Sequence, residues 1–272
     1  VEAERDVLLK ALASGLYGQA VQRFFILTGE GSNGKDTLVS KLFKSTLGQK
    51  YFEYSNTTIL TEKRKGALSQ EIANLNKKRT AVWNEPPKQS ILQGGPIKEL
   101  TGSSEINARG LYSTNTATQL METCFMLCND IPRIDNVDGG VARRMVVIPF
   151  RSLFKKPEDI AKMTNLENVH EEDRYFDSDG FRNEYKMTLF HILVEYFNKW
   201  KADKYMFKNL PESIMELSGQ YLQDSDDFIN WFNELYEPSD NKDDIIQIKD
   251  IFSAFKQGDL YDNMSKREKR LM

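Results

Sequence analysis

Cysteine, histidine and long apolar runs are what this sequence has least of. It holds 2 cysteines and 2 histidines in 272 residues. Cys124 and Cys128 stand four apart, a spacing that puts them on one face of a strand but too far along it to bond comfortably. With no Cys-x-x-Cys pair and no histidine cluster, the pattern argues against zinc. Reduced, buried thiols in a cytosol-like compartment fit instead, in a protein that is not secreted. No apolar run approaches the roughly 20 residues that span a bilayer, so no membrane segment is expected. No signal-peptide pattern is visible at the start, although an excised piece would have lost one. Internal repeats and low-complexity tracts are missing too.

A strong charge of either sign is also absent. The net charge of −3 does not announce a nucleic-acid binder. Its distribution says more. Residues 1–150 hold 19 Lys and Arg against 15 Asp and Glu, a net +4, and residues 151–272 hold 18 against 25, a net −7. A basic front and an acidic back fit a protein that touches a polyanion with one part only. Chance surface variation is the plain alternative.

What is present is ordinary globular material, 40% hydrophobic and 28% charged. The chain opens on Val1 and closes on the charged stretch 265–272, which reads as the start of a helix, so we expect an excised piece of a longer protein. Helical spacing runs over 7–22, 36–44 and 67–76. Short apolar runs at 23–28, 80–83 and 145–150 read as buried strands. Residues 106–112 and 118–128 look like the arms of a hairpin around 113–117, and 125–129 reads as a buried strand ending in Asn129. Strands alternating with helices give an α/β class with a mainly parallel sheet. Residues 151–182 are polar without a clear period. Helical patterns follow at 189–200, 214–222 and 228–236, the first an aromatic stripe that reads as core packing. A linker is expected at 237–244, and 245–255 could begin a winged-helix module. The expected domains are therefore a core over 1–150, a helical extension over 151–236, and a linker with the start of a small module over 237–272.

The sharpest motif lies at 29–35. Gly29-Glu-Gly-Ser-Asn-Gly-Lys35 matches G-x-x-x-x-G-K between an expected strand and an expected helix, the context the motif needs. Its glycines let backbone N–H groups curl toward phosphate oxygens, Lys35 adds a point charge, and the helix N-terminus adds a partial one. Gly29, Gly31, Ser32, Asn33, Gly34, Lys35, Asp36 and Thr37 are the candidate ATP-binding residues. What the loop lacks is a Ser or Thr directly after the lysine, where a hydroxyl would ligate Mg²⁺. Asp36 stands there instead and can ligate through oxygen. Thr37 lies about 100° further round the helix.

Hydrolysis of a bound triphosphate needs an acid at a neighbouring strand end. Asn84-Glu85 closes the strand at 80–83, making Glu85 the candidate for activating water and, with Asp36, for holding the metal. Asn129 ends another strand and could bond the attacking water or the γ-phosphate; a turn-forming role is its alternative. Arg143 and Arg144 follow a glycine-rich loop, where an arginine could reach a neighbouring subunit's nucleotide or form only a surface pair.

Together these pieces resemble the superfamily 3 helicases, and more narrowly the poxvirus-type primase–helicases of nucleocytoplasmic large DNA viruses, with relatives in phages and mobile elements. The carrying stretches are 29–35, Trp-Asn-Glu-Pro at 83–86, 97–102, 106–112, Cys-Asn-Asp-Ile-Pro at 128–132, and Arg-Arg-Met-Val-Val-Ile-Pro-Phe at 143–150. The resemblance implies an AAA+-like core that forms a ring-shaped homo-oligomer, a hexamer, around DNA. It implies ATP and Mg²⁺ as cofactors, single-stranded and fork DNA as partners, and a primase domain on the same longer polypeptide, acting at replication sites of a virus or mobile element in its host cell. Lys35, Glu85, Asn129 and Arg143 or Arg144 would be catalytic. Lys98 and Arg109 are the candidates for DNA contact, with a subunit-interface salt bridge as the alternative. Two other readings stay open, a P-loop phosphotransferase that does not move on DNA and a nucleotide-bound scaffold with little or no turnover.

Overall fold

The computed structural model describes residues 2–62, 70–108, 116–237, 239, 241 and 243–263. Helix α1 (Glu2–Ser14) leads into strand β1 (Phe24–Thr28) and the phosphate-loop motif. Helix α2 follows, π-helical over Thr37–Phe43 and α-helical over Lys44–Leu47. Next come β2 (Phe52–Tyr54), the short helices α3 (Thr58–Thr61) and α4 (Gln70–Asn74), β3 (Thr80–Asn84) and α5 (Gly94–Gly102). Strands β4 (Glu105–Ala108) and β5 (Thr116–Gln119) pair antiparallel, and β6 (Thr123–Cys128), α6 (Gly139–Ala142) and β7 (Met145–Pro149) complete the first half.

The sheet runs in the order β2-β3-β6-β1-β7 with every pairing parallel. This is the expected α/β architecture. β1, β6 and β7 read as near-continuous apolar runs because helices cover both faces of a parallel sheet. Alternation along β1 divides the core. Phe25 and Leu27 join Val82, Phe125 and Val146 on one face, beneath α1 and α2. Phe24 and Ile26 join Trp83, Cys124, Met126 and Cys128 on the other. The two cysteines are free thiols buried on that second face.

The second half is mainly helical. β8 (Leu153–Lys155) pairs parallel with β9 (Val169–Glu171), with α7 (Pro157–Ile160) between them. A 3₁₀ turn at Arg174–Asp177 precedes the long helix α8 (Asp179–Ala202). Ser178 caps α8, its side chain accepting from the Phe181 N–H. Leu189, Leu193, Tyr196 and Trp200 of α8 share the core of α1 and the sheet, so the aromatic stripe is packing, as expected. α9 (Glu212–Ser225), α10 (Asp227–Leu235), α11 (Ile248–Lys256) and α12 (Asp259–Asn263) complete the described chain.

Two expectations need correction. The first helix spans 2–14, not 7–22: it ends where Gly15 packs against Thr80 and Gly18 adopts a φ of 74°. It starts earlier because Glu4, a charged residue, faces inward and is paired with Arg151, which an apolar pattern cannot register. The hairpin's second arm ends at Gln119, not at 128. The stretch from Thr123 to Cys128 is buried at all six positions between β1 and β3 and belongs to the main sheet. Strand β2 and helix α5 carried no recognised pattern. Most of the expected hairpin tip, and part of the helix expected at 67–76, lie outside the described residues.

Candidate nucleotide site

Parallel topology brings the carboxyl ends of β1, β6 and β3 side by side, the usual position for ligands on an open α/β sheet. The phosphate-loop motif follows β1, Asn129 follows β6 and Glu85 follows β3. They line one cleft of about 390 Å³ with Gly31, Asn33, Lys35, Asp36, Thr37, Lys41 and Asp177.

The loop is held open from beneath. Gly29 has a φ of 146°, and a Cβ there would stand 2.3 Å from the Phe150 carbonyl oxygen, so only glycine fits. Ser32 and Gly34 also take positive φ, 63° and 82°. The Phe154 N–H donates to the Ser32 carbonyl at 2.8 Å, and Asn33 accepts from the Lys35 N–H at 3.2 Å, fixing the curl.

Lys35 is buried yet charged. Its ammonium donates to the Gly29 carbonyl at 2.7 Å and to Asn129 Oδ1 at 3.2 Å. Burial pulls its pKa below the ordinary lysine value, while the Glu85 carboxylate opposes that pull. The Cys128 thiol is itself pushed up to about 12, chiefly by burial, and stays neutral. Glu85 Oε2 accepts the Asn129 N–H at 3.0 Å, and Thr28 donates to the Asn129 carbonyl at 2.9 Å. Lys35, Asn129 and Glu85 thus form one hydrogen-bonded line across three strand ends. It can present an ammonium, an amide and a carboxylate to a phosphate and its attacking water.

Asp36 is exposed, with its carboxylate 3.8 Å from the Lys41 ammonium. Thr37 donates its hydroxyl to Asp177 at 3.1 Å and so is already engaged. Among the described residues no group of three or more His, Cys, Asp and Glu side chains is placed to hold a metal ion by itself. Mg²⁺ typically takes one or two carboxylates and completes its octahedron with water and substrate phosphates. Asp36 and Glu85 both line this cleft and supply carboxylates of that kind.

The two arginines separate. Arg144 is buried, donating to Thr101 Oγ1 at 2.9 Å and to the Gly140 carbonyl at 2.7 Å. Arg143 is solvent-exposed, and its carbonyl accepts from the Arg23 guanidinium. Lys98 pairs with Asp138 of its own chain at 2.7 Å, and Asp138 in turn caps α6. Arg109 lies outside the described residues. Two cleft residues escaped the sequence reading. Asp177 comes from a stretch with no periodicity, and Lys41 looks like any surface lysine on a helix.

No protein-family model matches the chain. A protein of Acanthamoeba polyphaga mimivirus described as a "putative helicase" is 28% identical over 258 residues, covering 93% of this chain and 26% of that protein. A primase of fowlpox virus is 26% identical over 215 residues, covering 77% of this chain and 27% of that protein. The chain therefore spans about a quarter of the length of these curated relatives. Among solved structures, the apo C-terminal region of NrS-1 superposes with a TM-score of 0.53 at 12% identity, over 84% of this chain and 51% of that one, which is a likeness of fold. The kinship read from the motifs is thus borne out: this chain is a relative of the helicase-named proteins and the primases of large DNA viruses.

Proposed function

We propose that the chain is the ATP-hydrolysing motor of a superfamily 3 DNA helicase. It would work as a ring-shaped oligomer, a hexamer, that translocates on single-stranded DNA during replication, joined to a primase domain in a longer polypeptide. The observation that carries this reading is the Lys35–Asn129–Glu85 line across adjacent strand ends. Lys35 binds the β- and γ-phosphates, Glu85 orients and deprotonates the attacking water, and Asn129, bonded to both, reports whether the γ-phosphate is present. Asp36 and Glu85 would hold Mg²⁺, which would supply charge neutralisation to the phosphates. Arg143, the exposed member of the pair, is the arginine that reaches the next subunit's nucleotide. Lys98 and Arg109 are the residues assigned to contact with DNA phosphates, so binding is sequence-tolerant and salt-sensitive. The setting is the replication site of a virus or mobile element in a reducing host compartment.

Displacement of a labelled strand from a forked duplex tests this directly. The expected result is ATP-dependent displacement that Lys35→Ala abolishes. Asp36 and Asn84, standing where a hydroxyl and a second acid would strengthen the metal site, favour a second reading, a nucleotide-bound scaffold. ATP-dependent assembly with neither displacement nor turnover would select that one.

A further inference from the structure

The helix that follows the phosphate loop is π-helical over Thr37–Phe43, with the Lys44 N–H reaching the Val39 carbonyl five residues back. In an α-helix, residues five apart point about 140° away from each other. The wider i→i+5 turn brings them toward a common face, and such turns recur at functional sites. Here the effect is specific. It swings Lys41 over Asp36 and into the cleft wall, where its ammonium lies 3.8 Å from Asp36 and 2.8 Å from Asp177. The Lys41 side chain remains one-third exposed and faces the same space as Lys35.

Charge explains why a second lysine is needed. The cleft is lined by three carboxylates, Asp36, Glu85 and Asp177, against the ammonium groups of Lys35 and Lys41. Without Lys41, a triphosphate would meet three negative groups and one positive. The geometry points to Lys41 as a second phosphate-binding lysine of this cleft, one that offsets the aspartate standing directly after Lys35. Asp177 holds it in place and gives way to the phosphate oxygens. This inference rests on the cleft being a nucleotide site.

Calorimetric titration of the chain with ATP and with inorganic tripolyphosphate, in EDTA, tests it with Lys41→Met, Lys41→Arg and Lys35→Ala. The expected result is that Lys41→Met weakens both ligands by roughly ten- to a hundredfold, the loss of one charge-assisted hydrogen bond. Lys41→Arg stays within about threefold of the parent, because the charge is kept. Binding by Lys41→Met within about twofold of the parent would overturn the inference. So would equal losses in the Met and Arg variants, since these would mark the lysine as helix packing only. A parent chain whose ATP binding is indifferent to Lys35→Ala would instead sink the nucleotide reading itself, and this inference with it.

Discussion

At the scale of single residues, adjacent side chains of one type have separate duties. Arg144 spends its guanidinium on Thr101 and Gly140 inside its own chain. Arg144→Ala is therefore expected to cost about 2–3 kcal/mol in urea unfolding, because it breaks buried bonds to a charged group. Arg143→Ala is expected to leave stability within about 0.5 kcal/mol, yet to lower turnover by about a thousandfold if it serves the next subunit's nucleotide. Equal stability losses at both positions, or full turnover in Arg143→Ala, would contradict this division. Glu122 makes a second case. It is fully buried just before β6; one oxygen accepts the Met121 N–H at 2.9 Å and the other has no partner among the described residues. Burial raises its pKa to about 8 from an ordinary value of 4.5. Because the folded value lies above the unfolded one, the unfolded chain releases this proton first as pH rises. Stability is then lost progressively between about pH 4.5 and 8. Glu122→Gln keeps the accepting oxygen and removes the proton. Its urea midpoint should match the parent near pH 4.5 and exceed it at pH 8; a difference independent of pH would rule this explanation out.

At the scale of elements, α8 clamps α1 onto the sheet. Trp200 is 1% exposed and meets Tyr17 edge-on at 5.4 Å between ring centroids and Phe207 at 5.5 Å. Trp200→Ala should cost about 3–5 kcal/mol, and a loss below about 1 kcal/mol by urea unfolding would show that α8 is not part of the core. The elements also show which features were legible in the sequence. β1, β3 and β7 announced themselves as short apolar runs, and a glycine loop or a polar strand end marked three corners of the site. Those signals are local, so Lys35, Glu85 and Asn129 could be named before any fold was known. Three features carried no local signal. Asp177 enters the cleft only because the chain folds back after 150. Lys41 faces it only because the helix widens there, which the 3.6-residue period hides. The β5–β6 boundary was missed because Leu120 and Met121, at the break between strands, are apolar, so the apolar pattern runs on into β6.

For the whole molecule, the decisive property is that a parallel sheet delivers its strand ends to one edge. Residues 31–37, 84–85 and 129 therefore converge although up to about a hundred positions separate them. Mg²⁺-dependent ATP hydrolysis, with and without single-stranded DNA, for this chain and for Glu85→Gln, tests the motor reading most directly. Turnover that rises with DNA and falls by at least about a hundredfold in Glu85→Gln, with ATP binding retained, is the expected result. Hydrolysis indifferent to DNA, or undiminished in Glu85→Gln, would contradict it.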